Sequence, residues 1–563
     1  MVDEWWNDNA PPPSHTPHEA ILRLPVRQLL RASALVFGFV VSSGLRAQTT
    51  TPLLPDATVL PTRALRLRLL TAWTRYDEQF GAGATPRNIA STLASDSLGI
   101  VQIPAFSPIQ SAIQDASGLA SFRLTAGQIG AVANSRIVTA PLIAEFGVSS
   151  RITLGVVIPF VETRTSLVAG LNQQLGHANV GPNPALGGQG SALGTNTTFV
   201  QSVLLAADTL RRRLSDCQAT PTAGSCASLL AQQASAQGLV QTSQAFAAAI
   251  ARLYGTSAGS TPGQPFIPLD SSQGQLAIAA RIQALRDQYR ALLGRDPIAA
   301  SVAGAHGPAA LAQLQSLLTA MGRDTLQSTD RSSVGDITLG AVFQIANTFG
   351  DTTPAGLRAH HYRLAANGAF RFGTGQPANR NRYLDVGTGY GQPGIEAGVA
   401  ADMQLSSHWS GSGIASYTAQ LGSLPIGRIP NPGNAVYPLA IASSGTYTAG
   451  NVLSLSAIPR YRVSGYFALT GRYSFVHIAG DAFTAAGGPG SAGANAPSFG
   501  GAASTAQQIG VGFTYATVAG SARGPGALPF EVAFSHLETI AASGGPTPKA
   551  FREQLELRLY LGR

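Results

Sequence analysis

The side chains of this 563-residue sequence that could do chemistry are few and scattered. Cys217 and Cys226 are the only cysteines, close together in the loop-like stretch CQATPTAGSC. A thiolate metal site needs further Cys or His at fixed spacing, and none is nearby. A local disulfide is therefore expected, of the kind that exported proteins keep. His360 and His361 are adjacent, so on a strand they point to opposite faces and cannot hold one ion together. Ser535 and His536 are opposed in the same way and make no nucleophile and base pair. No glycine-rich phosphate loop, His-Glu-x-x-His helix or paired Cys-x-x-Cys is present. The expectation is a protein without cofactor, metal or catalytic residues, and not an enzyme.

What remains is a set of isolated charges: Arg66, Arg68, Glu145, Asp336, Arg363, Arg371, Glu396, Asp402, Arg460, Arg462, Arg472, Glu531, Glu556 and Arg558. The segments that carry them alternate with period two, the signature of strands with one apolar face. Phe551, Leu555, Leu557, Leu559 and Leu561 share one face of the last segment, while Arg552, Gln554, Glu556, Arg558 and Tyr560 share the other. Tyr362, Leu364, Ala366 and Phe370 alternate in the same way with Arg363, Ala365, Asn367, Ala369 and Arg371. About twelve such strands are expected, near 64–76, 136–148, 151–163, 335–347, 360–372, 393–404, 408–419, 451–462, 466–478, 507–518, 528–540 and 551–562. The stretches 122–132 and 435–448 have room for more.

A soluble sandwich would also alternate, but three features favour a membrane barrel. Only 12% of residues are charged, about half the roughly 25% of an average soluble domain. The polar faces are rich in Gly, Ser, Thr and Ala, and aromatics recur near strand ends (Trp73, Phe160, Phe372, Trp409, Phe475, Tyr515, Phe530), where an interfacial girdle needs them. Connections also alternate in length, with short ones at Ser149-Ser150, around 352–358, and at 405–407, 463–465 and 519–527. Short turns on one side and long loops on the other are the pattern of an even-stranded outer-membrane barrel. No run of eighteen apolar residues occurs, which excludes a helical-bundle membrane protein. The fold class expected is all-β: an antiparallel transmembrane β-barrel of about 12 strands (roughly 10–14), with a mostly α-helical insertion between strands 3 and 4. The charges listed above, other than Asp336 and Arg462, are the lumen-lining candidates. They either brace a narrow barrel as ion pairs or tune permeation.

Residues 165–332 read differently. Val203, Leu204, Leu210 and Leu214, then Leu229 to Leu253, then Ile278, Ile282, Leu285, Tyr289 and Leu293 fall at helical spacing, with a fourth helix over 309–321. Cys217 and Cys226 lie between the first two. The insertion either caps or plugs the mouth, or binds a partner. At the start, Arg23, Arg27 and Arg31 precede the short apolar stretch Ala34 to Val41 and a small-residue site ending at Ala47, as in a secretory signal. The expected organisation is 1–47 signal peptide, 48–164 first strands and first long loop, 165–332 helical insertion, and 333–563 remaining strands. The net charge of +9 comes from scattered arginines and one lysine, Lys549. Without a basic cluster, nucleic acid is not an expected partner.

The stretch Phe146-Gly147-Val148-Ser149-Ser150-Arg151-Ile152-Thr153-Leu154-Gly155, running into Ile158-Pro159-Phe160, resembles the "YGxTxRLxLGxxxPF" turn of outer-membrane transporters of the phenol meta-degradation pathway type. Gly335-Asp336-Ile337-Thr338-Leu339-Gly340, Gly373-Thr374-Gly375 and Asp385-Val386-Gly387-Thr388-Gly389 resemble later stretches of that group, in order. The likeness covers about half the chain, in turn motifs. It implies a bacterial outer-membrane barrel, placed by the barrel-assembly machinery, in contact with outer-membrane lipid, and passing small hydrophobic or aromatic solutes. A surface-display barrel whose insertion binds a partner is the alternative.

Overall fold

The computed structural model describes residues 53–561, apart from 54, 82–84, 173–176, 188–189, 225, 258–261, 300, 321–325, 350–360, 380–383, 427–444, 486–501 and 518–528. The signal segment, the turn around 352–358 and the turn at 519–527 lie outside the described residues. The alternating segments form twelve long strands: β1 (Leu65–Tyr76), β2 (Ile129–Ser149), β3 (Ile152–Leu171), β4 (Thr338–Asn347), β5 (His361–Arg371), β6 (Gly394–Gln404), β7 (Trp409–Gln420), β8 (Val452–Arg462), β9 (Phe467–Ile478), β10 (Ser504–Ala516), β11 (Phe530–Gly544) and β12 (Phe551–Leu561). Each pairs antiparallel with its sequence neighbours, and β1 pairs with both β2 and β12, so the sheet closes on itself. Closure leaves no unpaired edge, which is what a sheet in lipid requires. The expected all-β barrel with a helical insertion after its third strand is the architecture found.

The apolar face points outward. Leu69, Leu142, Leu154, Val399, Leu455, Val511 and Leu555 are exposed on it, an arrangement stable only against lipid. Toward the short-turn end the outward rings cluster: Trp409 lies 5.0 Å from Tyr461, and Tyr515 stands 6.4 Å from Tyr466 and 6.0 Å from Phe530. This is the interfacial belt of a membrane barrel.

Two strands are longer than their alternation suggests. β2 begins at Ile129 rather than near 136, and β3 runs to Leu171 rather than 163. About 9–11 residues suffice to cross a bilayer, so the extra length stands beyond it. The reason is packing. Ile129, Ala133, Ile137, Leu167 and Leu171 share one core with the helices on that side. A short strand, Thr329–Val334, continues the sheet beyond β4 by pairing with Phe160–Thr165.

Those helices are α1 (Ser107–Ser117) in the first long connection, which the sequence pattern did not indicate, and α2 (Gly190–Ala219), α3 (Cys226–Ala231), α4 (Gln233–Tyr254), α5 (Gln273–Leu293) and α6 (Leu311–Ala320) between β3 and β4. The Ser272 side chain caps α5 by accepting from Gln275 N at 3.3 Å, and Gly294 at φ 69° ends it. Val203, Leu210 and Leu214 are buried as their spacing predicts, but Leu204 is exposed. The Cys217–Cys226 disulfide, with S–S 2.08 Å, joins the end of α2 to α3. α5 buries Ile278, Ile282, Leu285, Tyr289 and Leu293 in the helical core, while Arg281 donates to the Asp115 and Ala116 carbonyls and lies 4.8 Å over Phe246. The charged helix therefore stands outside the lumen. Of the stretch 435–448, residues 435–444 lie outside the described residues, and Gly445–Thr448 pairs with Leu424–Ile426 and Ala482–Ala485 in a separate small sheet.

Candidate functional site

The barrel interior holds a piece of the chain itself. Residues 53 and 55–60, just before β1, run inside it. Leu53 and Ala57 are fully buried against Ile143, Val157, Val342, Ala365, Ala369 and Ala400, from five consecutive strands β2 to β6. Backbone groups fix the segment: Ala57 N donates to Asp402 Oδ2 (3.2 Å), Leu60 N donates to Thr153 Oγ1 (2.9 Å), and Gln344 Nε2 reaches the Ala57 carbonyl (3.4 Å). Two wall positions are glycine because the segment passes so close. A Cβ at Gly155 would lie 2.6 Å from Leu53 Cδ1, and one at Gly147 only 2.0 Å from the Pro61 carbonyl oxygen. Period-two alternation is silent about this segment, which is not a strand.

Strand pairing turns the polar residues inward, and most of the charges meet a partner. Near the short-turn end, Arg66 donates to both Glu145 oxygens, at 2.5 and 3.0 Å. Arg68 Nε donates to Glu556 at 2.7 Å and Arg68 Nη1 lies 3.6 Å from Glu145. Arg558 reaches Glu556 at 2.9 Å, Glu531 at 3.2 Å and Asp56 of the lumen segment at 3.4 Å. Arg66, Arg68 and Glu145 are at most 2% exposed, a depth at which an unpaired charge would cost several kcal/mol. Asp56, which links the segment to this network, carries no strand signal and escapes a reading based on alternation.

A second group sits across the lumen. Arg363 pairs with Asp402 at 3.1 Å, so Asp402 serves both the segment and the wall. Arg371 donates to the Gln420 side chain, lies 3.8 Å from Asp336 and stacks 4.4 Å over Tyr390. Glu396 is buried in β6 opposite Ala369 and Thr418. Two charges placed by alternation act differently. Asp336 lies in the break between the short strand and β4, where its carboxylate accepts from the backbone N–H groups of Gly375 (2.8 Å) and Tyr390 (2.7 Å); it ties down the loop after β5. Arg462 is exposed at the short-turn end of β8.

Arg460, Arg472 and Arg552 stand apart. They point inward from β8, β9 and β12, and among the described residues none has a carboxylate within ion-pair distance. Arg472 contacts only hydroxyls, Ser474 at 3.0 Å and Ser456 at 3.3 Å. Arg460 Nε and Arg552 Nε are buried without a hydrogen-bond partner. All three line a lumen cavity of about 160 Å³, together with Arg68, Arg558, Asp56, Glu531, Glu556 and the apolar Leu70, Ile414 and Ile458. Arg552 is visible in the alternation of the last strand, on the same face as Glu556 and Arg558. Among the described residues no group of three metal-ligating side chains occurs. The arrangement leaves a charge-lined cavity in the lumen with room for a small solute.

No family model matches the chain, and no curated protein matches it. Among solved structures the chain is similar to an outer membrane channel from Pseudomonas putida F1, at 9% identity over 91% of this chain and 100% of that one, with a TM-score of 0.38. It is also similar to the Pseudomonas putida toluene transporter TodX (8% identity, 93% and 97% covered, TM-score 0.23) and to the Ralstonia pickettii toluene transporter TbuX (9%, 90% and 90%, 0.23). The barrel architecture rests on the strand pairing above and not on these likenesses.

Proposed function

We propose that this barrel passes small hydrophobic or aromatic molecules across the bacterial outer membrane. One observation carries the reading: the lumen is filled not by wall side chains alone but by residues 53 and 55–60, a segment held by three hydrogen bonds, one ion pair and two buried leucines. Such a segment can leave without unfolding any strand, whereas a purely structural barrel would fill its interior from the wall. In the same proposal the paired lumen arginines and carboxylates set the width and polarity of the route. Monoaromatic compounds are the substrate class, in keeping with the resemblance of the turn motifs to those of transporters of the phenol meta-degradation type. Export by residues 1–47 and insertion by the barrel-assembly machinery complete the proposal.

The test is uptake of labelled toluene by Gram-negative host cells that carry the full-length protein in an outer membrane whose lipopolysaccharide leaflet slows hydrophobic solutes. Uptake above that of cells without the protein supports passage; equal rates at every expression level refute it. The helical core built on the outer ends of β2 and β3, pinned by the Cys217–Cys226 bridge, favours a second reading in which the insertion docks a partner on the cell surface. Under that reading toluene uptake is absent, and whole cells lose binding of the partner when the insertion is removed.

A further inference from the structure

We propose that Arg460, Arg472 and Arg552 form an anion subsite in the lumen that takes the carboxylate of a small aryl or alkyl monocarboxylate. The proposal deepens the passage reading by naming a charged member of the solute class, and it rests on that reading only for the route.

The contrast within one barrel is the main observation. Arg66, Arg68, Arg363, Arg371 and Arg558 each have a carboxylate partner within 3.8 Å. The three on the β8, β9 and β12 side have none among the described residues, although they line the same cavity as three carboxylates. Those carboxylates, Asp56, Glu531 and Glu556, are already engaged by Arg558 and Arg68. Concentrated positive charge between low-dielectric walls focuses its field on the space between, and draws an anion there. Space is left for one. Arg472 and Arg552 lie in one pairing row, joined through Gly510 and Leu537, and the Leu537 side chain lies over Gly510 between them.

The ligand class follows from the rest of the cavity. A guanidinium fork matches a carboxylate in two parallel hydrogen bonds, and the buried Nε atoms of Arg460 and Arg552 are donors without acceptors. Ile414, Ile458 and Leu70 add an apolar side to the same lining. Its volume of about 160 Å³ resembles the roughly 150 Å³ cavity known to hold a benzene ring. A dianion such as phosphate would gain nothing from that apolar side and would be repelled more strongly by the three carboxylates nearby.

The experiment uses the full-length protein in detergent and labelled benzoate as probe. The expected result is benzoate binding at least about tenfold tighter than binding of uncharged benzyl alcohol, weakened about tenfold by each of R460Q, R472Q and R552Q. R472K, which keeps the charge, should lose less than R472Q. Equal binding of benzoate and benzyl alcohol overturns the proposal. So does displacement of benzoate by an equal concentration of phosphate or chloride, which marks a solvated basic patch only, or wild-type affinity in all three Gln variants. The single variants are scored only in the fraction that keeps the compact, heat-modifiable electrophoretic form, and the wild-type benzoate and benzyl alcohol comparison decides alone if none does. Toluene uptake run alongside separates the two readings. Uptake without benzoate preference sinks this subsite alone, and benzoate preference without uptake sinks the passage reading alone.

Discussion

Replacing Leu53 with alanine should open the barrel. Leu53 is 1% exposed and packs, with Ala57 and the partly buried Val59, against the small-residue wall of Val157, Val342, Ala365 and Ala400. Full burial of a leucine contributes roughly 1.5–3 kcal/mol relative to exposure, and alanine keeps only a minor part of it. The substitution should therefore weaken the seated state by about 2 kcal/mol. At about 1.4 kcal/mol per factor of ten, this raises the fraction of barrels with a vacated lumen roughly thirtyfold. The remaining ties, Ala57 N to Asp402, Leu60 N to Thr153 and Asp56 to Arg558, are untouched, so the strands themselves keep their stability. Planar-bilayer recordings measure the effect directly as open probability of unitary steps at matched protein density. G155A presses on the same contact, since its methyl would lie 2.6 Å from Leu53 Cδ1, but that side-chain end can shift, so a smaller rise than for L53A is expected. If L53A and G155A both conduct like wild type while folding normally, the segment does not gate the lumen and the reasoning fails.

Three further outcomes are expected. E556Q removes the charge that Arg68 and Arg558 share, at 2.7 and 2.9 Å, and breaking a buried pair from one side costs about 3–5 kcal/mol; urea unfolding of the detergent-folded barrel should show a loss of that size, and a change within about 0.5 kcal/mol would mean that lumen water solvates the network. Reducing the Cys217–Cys226 bridge, which closes a short loop, should destabilise the helical core by somewhat under roughly 3 kcal/mol, visible as an earlier loss of helical circular dichroism with no change in the barrel transition. Acid should do the same for a different reason. Arg286, hydrogen-bonded to Asp296 at 2.6 Å, holds that carboxyl below its ordinary value near 3.8. A depressed folded pKa gives stability that is complete above the ordinary carboxylate range and lost as pH falls through it. D296N should remove this acid-sensitive part of the helical transition, and an unchanged acid profile would exclude the pair as its source.

The strands were largely legible because alternation is a local property. Each of the twelve segments shows its two faces without reference to any other, and the inward side of β12 is readable residue by residue as Arg552, Gln554, Glu556, Arg558 and Tyr560. Helical spacing likewise located α5 and its buried face. The lengths of β2 and β3 were not legible, because their outer halves are set by helices that arrive from elsewhere in the chain.

By itself, then, the sequence determined that this is a barrel of alternating strands with a helical insertion and a charged inner face. The tertiary structure alone decided which charges meet and which stay unpaired. Arg68 and Glu556 are 488 residues apart and become neighbours only when β12 closes on β1. Closure also decided that residues 53 and 55–60 have somewhere to go: a segment without strand periodicity is buried because twelve strands surround it. The same closure sets Arg460, Arg472 and Arg552 around one cavity whose three carboxylates are already engaged by Arg68 and Arg558. Alternation fixes the face on which a side chain lies; the curvature and register of the closed sheet fix what it faces across the lumen.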